Sequence, residues 1–418
     1  MKLNAKKLIF LQLYIVLFEG ILIDQLGVPV SIKYLSDIVN IGIIILSYNE
    51  IRRKINHAHL GMTVGVITIY SVYLIFSAIL GGFSSSIILG VWGLRNVLRF
   101  LTFFISCMCV LNLNDIEKVF NFLKKLYIIN FIIILIQHFV WGYSMDFLGG
   151  IFGVTQGCNG PLNMFLVVVI TLVFVDYFNG RTKIIVLLMY VISAFYIAGL
   201  AELKVAYFEI VFIVALFALI RRPSYKTVLV IVGLVIGMIV GLNLLEKLFP
   251  EAYLVVVNFN NLDRYLSASW FGHLEVTRLT AFEVINDHFF KGSFLKHLFG
   301  YGLGACDWTS FAISDFASHY SSMNYKSFSF AMKYLETGYT GLILYVSIFV
   351  SLLISTVFKR KTKRMTAIEQ ILIVLLPNII FMIWYNESTT VEIAYVMYFV
   401  LAALGVERIE SDRLKIGS

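Results

Sequence analysis

Long apolar runs recur along this chain, and they limit what it can fold into more than any other feature. They lie at about 8–23, 28–47, 60–80, 98–113, 126–142 and 162–178, and again at 184–200, 205–220, 228–245, 334–358, 368–384 and 391–405. A span takes about 20 residues, so a dozen would use roughly 240 and leave room for one substantial extramembrane segment. The runs lack the period-2 alternation of barrel strands, which leaves helices as the spanning structure. Composition agrees: 60% of the 418 residues are hydrophobic and 14% charged, against roughly 45–50% and about 25% in soluble domains. The expected fold is an all-α polytopic membrane protein of about twelve helices.

The net charge of +8 is therefore a topology signal, not a mark of nucleic-acid binding or of a cytosolic enzyme. Basic residues cluster at Lys2, Lys6 and Lys7, at Arg52, Arg53 and Lys54, at Lys118, Lys124 and Lys125, and at Arg181 and Lys183. Further clusters are Arg221, Arg222 and Lys226, the run 359–364, and Arg408, Arg413 and Lys415. These are the even-numbered connections and both termini, which places both termini in the cytoplasm. The same rule makes 184–220 a hairpin with an outer turn at Ala201, Glu202, Leu203 and Lys204. The first span, behind three lysines and without a small-residue cleavage site, is expected to be a retained anchor. The organisation is thus helices 1–9 over 1–245, a large outer loop over 246–333, and helices 10–12 with a cytoplasmic tail over 334–418.

The loop between spans 9 and 10 holds much of the polar chemistry, including Arg264, Arg278, Asp307 and His319. Residues 274–290 read as a helix whose apolar stripe, Leu274, Phe282, Ile285 and Phe289, also carries Arg278. A guanidinium on an apolar face needs an anion, either Glu275 one turn away or a ligand. Three alternate glycines, Gly300, Gly302 and Gly304, allow a tight turn and close approach to a neighbour or ligand. Arg95 and Arg99 open the fourth span, and Thr102 and Ser106 continue their stripe, which should face the bundle interior or a polar groove. Lys204 has Glu202 as a local partner, and Glu336 either caps the tenth span or pairs with Lys333.

Arg95, Arg99, Lys204, Arg264 and Arg278 thus fall on the outer side, where the positive-inside rule disfavours them. An anionic lipid-linked substrate would explain the concentration, since Arg binds phosphate in a bidentate manner. Cys158 and Cys306, both in outer connections, could pair. The His and Cys spacing fits no zinc pattern and there is no Asp-x-Asp pair, so no metal and no cofactor is expected.

Several segments, in order, resemble the Wzy-type polysaccharide polymerases of the O-antigen polymerase and ligase superfamily. They are Gly149-Gly150-Ile151-Phe152-Gly153 with Asn159 and Asn163, the Ala201–Lys204 turn, the loop with Arg264 and Arg278, Gly300-Tyr301-Gly302-Leu303-Gly304, His319, and Glu336-Thr337-Gly338-Tyr339-Thr340-Gly341-Leu342. The resemblance implies a GT-C-like membrane glycosyltransferase in the bacterial plasma membrane, with its active site on the outer face. Such an enzyme joins oligosaccharide repeat units carried on undecaprenyl diphosphate to make capsule, exopolysaccharide or O-antigen. It implies as partners the bilayer and the chain-length regulator and flippase of the same pathway. By position, Arg278 corresponds to a loop arginine of the family, His319 to the histidine before the last long span, and Glu336 to a Glu-x-x-Gly motif. His319 is followed by Tyr320 where ligases commonly have asparagine, which favours polymerase over ligase. Arg278, Arg99, Arg95, Lys204 and Arg264 are then the candidates for holding the diphosphate as charge grows on it, with His319 or Glu336 as base. A lipid-linked oligosaccharide flippase or ion-coupled transporter is the alternative from another class.

Overall fold

The computed structural model describes residues 4–220, 225–258, 275–358 and 365–416, so Arg264 lies outside the described residues. Each of the twelve apolar runs falls in a helix: α1 (Ala5–Asp24), α2 (Lys33–Lys54), α3 (Gly61–Ser84), α4 (Ile87–Val110), α5 (Leu113–Phe139), α6 (Asn159–Phe178), α7 (Ile184–Leu200), α8 (Lys204–Ile220) and α9 (Tyr225–Leu248) precede the loop. The loop contributes short helices α10 (Pro250–Val257), α11 (Ala281–Val284), α12 (Phe294–Phe299) and α13 (Asp315–Tyr320), and α14 (Ser329–Phe358), α15 (Ala367–Tyr385) and α16 (Ala394–Ile416) complete the chain. Among the described residues the secondary structure is helical, apart from one β-bridge between Trp308 and Ile313.

Eight helices among the described residues are long and apolar enough to cross a membrane. Of the rest, α7 and α8 are each 17 residues long, and α1 carries Lys6, Lys7, Glu19 and Asp24. The outward faces of the bundle are themselves apolar: Ile38, Ile45, Val72, Ile79, Ile132 and Met189 are all more than half exposed. Water would penalise such a surface and lipid would not. The most enclosed helix is α6, and its residues Leu162 to Val175 are buried without interruption.

Contacts sort the helix ends into two groups. At one end Lys6 pairs with Asp115, the Lys54 ammonium donates to the Cys109 carbonyl at 3.0 Å, and Arg408 donates to the carbonyls of Ser355 and His59. At the other end Asp24 accepts from the Val154 amide, Leu303 donates to Ser77, Ser329 donates to Asn386, and Arg99 meets Glu392. The first end carries the basic clusters. The second carries the loop chemistry and is called the site end below.

Two expectations are corrected. The described part of 274–290 is not one helix: 275–277 have no regular structure, 278–280 form a turn, and α11 begins only at Ala281, running into a π-helical turn at Ile285–Phe290. The hydroxyls of Thr277 and Thr280 bond each other at 2.7 Å and take up local amides, a turn chemistry that competes with helix. Arg278 therefore sits on the turn and not on a helical stripe. The thiols of Cys158 and Cys306 are both free: Cys158 donates to the Asp146 carbonyl at 3.3 Å, and Cys306 is buried beside Tyr325.

Candidate functional site

The fourth helix begins at Ile87, well before the apolar run near Leu98, so Arg95 and Arg99 do not open it. At 1.5 Å per residue they lie about 12 and 18 Å below its first residue. The arginines look like a boundary in the sequence because partners from distant segments neutralise them inside the bundle. The stripe does face inward, with Arg99 6% exposed and Ser106 fully buried.

The two arginines are used differently. Arg95 has every guanidinium nitrogen engaged: Nε donates to Asp37 Oδ1 at 2.7 Å, Nη2 donates to Asp37 Oδ2, and Nη1 donates to Asn96 Oδ1 at 2.7 Å. Arg99 reaches Glu392 through Nη1 alone, at 3.0 Å, and its buried Nε–H has no partner among the described residues. The ring of Phe100 lies 4.5 Å from its charge centre. Glu19 of α1, also buried, has an unpartnered Oε2. The Lys33 ammonium acts on both Glu19 and Glu392 through space and makes no ion pair among the described residues. Arg99 thus faces a small charged chamber with donors unspent, whereas Arg95 is a locked structural pair with Asp37.

A chain of polar contacts leads from this chamber into the loop. Asn96 Nδ2 donates to Asp307 Oδ2 at 3.5 Å, and Asp307 also pairs with Lys326, whose ammonium lies 3.6 Å from the Trp308 ring centre. Nearby, Lys333 is buried and has no ion pair or ammonium hydrogen bond among the described residues; its charge approaches the Tyr345 ring, at 5.6 Å. Burial pushes the Glu387 carboxyl up, with Lys326 pulling the other way.

The glycine segment holds these parts together. Gly300, Gly302 and Gly304 have φ of 71°, 96° and 81°, which L side chains rarely adopt. Tyr301 and Gly302 amides donate to the Leu335 and Glu336 carbonyls at 3.0 and 2.9 Å, and the Leu303 amide donates to the Ser77 carbonyl at 2.9 Å. A Cβ on Gly302 would collide with the backbone at Gly81, and one on Gly304 with that at Leu89. Gly338 (φ 59°) breaks α14 at this level, and the Thr337 carbonyl beside the break accepts from Tyr73. Glu336 is 4% exposed, and its Oε1 accepts the Gly304 amide at 2.8 Å. It ties the segment to α14 and does not cap the start of that helix.

Tyr301 of the segment also lines an open cleft of about 360 Å³, together with Ser84, Ser85, Asp315, Phe316, His319 and Tyr320. His319 is exposed, and its Nδ1 lies 2.7 Å from the Asp315 carbonyl. A carbonyl only accepts, so Nδ1 carries the hydrogen and Nε2 is left with its lone pair. Burial pushes the Tyr301 phenol up to about 12, and that phenol donates to the Phe289 carbonyl. His319 and the exposed carboxylate of Asp315 are the groups in the cleft able to accept a proton, and Tyr301 is an aromatic wall.

The remaining expected site residues lie elsewhere in the fold. The Arg278 guanidinium is 4.1 Å from the Tyr385 ring centre and 4.9 Å from that of Phe328, with Nε donating to the Tyr385 carbonyl at 3.0 Å. Lys204 pairs with Glu202 at 2.7 Å in the α7–α8 turn. The sequence reading did not single out Glu19, Lys33, Asp37 or Glu392, although a carboxylate inside an apolar run was visible at Glu19. Among the described residues no three His, Cys, Asp or Glu side chains converge to hold a metal ion. In a cleft of about 930 Å³ at the basic end, Lys124 pairs with Asp176 and Glu407 accepts from Thr366. No family model matches the chain, and no curated protein or solved structure shows significant similarity to it.

Proposed function

We propose that this protein is a membrane glycosyltransferase that polymerises undecaprenyl-diphosphate-linked oligosaccharide repeat units at the outer face of a bacterial plasma membrane, with both termini in the cytoplasm. The observation that carries the reading is Arg99: a guanidinium in the site-end half of the bundle, buried, held at one nitrogen and with its Nε–H unspent. An intramembrane charge of this kind marks a functional site by default, and a guanidinium is suited to phosphate.

In this reading the diphosphate of the donor enters the chamber past Lys33 and takes the free donors of Arg99, with Lys333 as a further cation. Negative charge builds on the diphosphate as the anomeric C–O bond breaks, so these cations stabilise the transition state more than the bound substrate. The acceptor sugar lies in the aromatic cleft, where His319 Nε2 takes the proton from the attacking hydroxyl. Arg95 and Glu336 hold the framework, and Arg278 fixes the turn before α11 to the end of α15. The pathway's flippase and chain-length regulator remain the expected partners.

The test is a glycan gel from a strain that depends on this protein. Arg99→Ala or His319→Ala, at normal expression, should leave single repeat units where the parent makes a ladder. A normal ladder from both variants rejects the assignment. In a null strain, loss of all translocated product would indicate a flippase, and full-length but unattached polymer a ligase.

A further inference from the structure

Away from the outer site, a second ionisable group is buried in the bundle with nothing of opposite charge beside it. Glu209 of α8 is 1% exposed and Asn163 of α6 is fully buried. The Asn163 amide donates from Nδ2 to Glu209 Oε2 at 2.8 Å. The other oxygen of each side chain, Glu209 Oε1 and Asn163 Oδ1, has no partner among the described residues. α15 packs on both helices and carries Asn378, fully buried, whose Nδ2 is spent on the Val374 carbonyl while its Oδ1 is also unpartnered.

All three unspent atoms are acceptors, and one belongs to a group that carries negative charge when ionised. The deficit is therefore positive charge. A buried water would satisfy lone pairs but leave the charge uncompensated in a low-dielectric interior. The neighbouring elements do not supply the charge. α7 has no charged residue. Asp176 of α6 is paired with Lys124, and Glu369 of α15 closes the capping box at that helix's first turn, both at the basic end. On α9 and α10, Glu246, Lys247 and Glu251 are exposed. On α8 itself, Lys204 pairs with Glu202. One turn above Asn163 towards the site end, Asn159 bonds the exposed Asp146 and the Ala201 carbonyl, so polar groups continue from the site to the surface.

We propose that Glu209 and Asn163 form a binding site for one small monovalent cation, H⁺ or Na⁺, within the helical bundle. One negative charge and a neutral amide oxygen match a single positive charge better than a divalent ion. As H⁺, the cation sits on Glu209 Oε1 and is donated to Asn163 Oδ1, completing an acid–amide pair. As Na⁺, it is ligated by the unspent oxygens of these two side chains. The site is independent of the polymerase reading and gives the bundle a means of binding a cation that the outer chemistry does not need.

The experiment uses the full-length protein in lipid vesicles, treated with a hydrophobic carbodiimide that reacts with protonated carboxyl groups, followed by peptide mass mapping. Glu209 should be modified at mildly acidic pH, with a rate falling about tenfold per pH unit above the group's midpoint. Protection by sodium chloride but not choline chloride identifies Na⁺ as the resident ion; dependence on pH alone identifies H⁺. Glu209→Gln keeps a neutral amide partner for Asn163 and should abolish the modification while the protein stays folded. Its infrared difference spectrum against the parent should then lose a protonated-carboxyl band in the H⁺ case, or its melting temperature should lose sodium dependence in the Na⁺ case. No modification of Glu209 at any pH, with no such band and no sodium-dependent melting, overturns the proposal.

Discussion

The chamber around Arg99 and the cleft around His319 differ in how their polar groups are used. The chamber is crowded with charges that come from α1, α2, α4 and the turn before α16. The cleft is open, walled by aromatic rings, and its proton-accepting groups, His319 and Asp315, are exposed. On the proposed reading, side chains in the chamber would serve stability and ligand binding at once, while those in the cleft would serve chemistry with little structural duty. Mutations should separate the two regions on that ground.

The largest effect is expected at Arg99. Arg99→Ala leaves Glu392 without its guanidinium partner and should cost about 3–5 kcal/mol as well as product, read as a lower melting temperature in detergent and loss of the ladder. Next is His319→Ala, for which the melting temperature should not move while polymer formation falls by about 10²–10⁴; a parallel drop in stability would erase the contrast between the regions. Within the chamber, Arg95 and Asp37 should behave as a structural couple. A double-mutant cycle on melting should return a coupling of about 1–3 kcal/mol, and the doubly substituted protein, once folded, should keep its ladder. Gly338→Ala forces an L residue to positive φ against the Leu298 backbone and should destabilise by about 1–3 kcal/mol. The smallest effect belongs to Lys204→Ala, about 0.2–1 kcal/mol with an unchanged ladder; loss of polymer there would return Lys204 to the diphosphate site.

Helix positions were legible because hydropathy acts on contiguous residues, and so was the hairpin turn at Ala201–Lys204, which alternation of basic connections located. The start of α4 was not. A fully engaged arginine and a partly engaged one look alike in sequence, and the pairing is set by residues as far away as Glu392, 293 positions from Arg99. The turn at Arg278 was missed because apolar spacing outweighed two threonine hydroxyls that hold a non-helical backbone. The alternate glycines at 300–304 were read as allowing close approach, and they make it, against the backbones of Gly81, Leu89 and Glu336. The chamber itself was half visible: its arginines stood out as cations on the unfavoured side, while Glu19, Asp37 and Glu392 gave no local pattern.

That glycine segment is fixed by amide-to-carbonyl bonds and bare backbone contact. Among the described residues, the neighbouring side chains that bond its backbone are those of Glu336, Ser77 and Ser84. It works as a chassis rail: it fixes where α3, α4 and α14 meet, and the stretch beyond it, from Asp307 to Lys326, hangs from that fixed point.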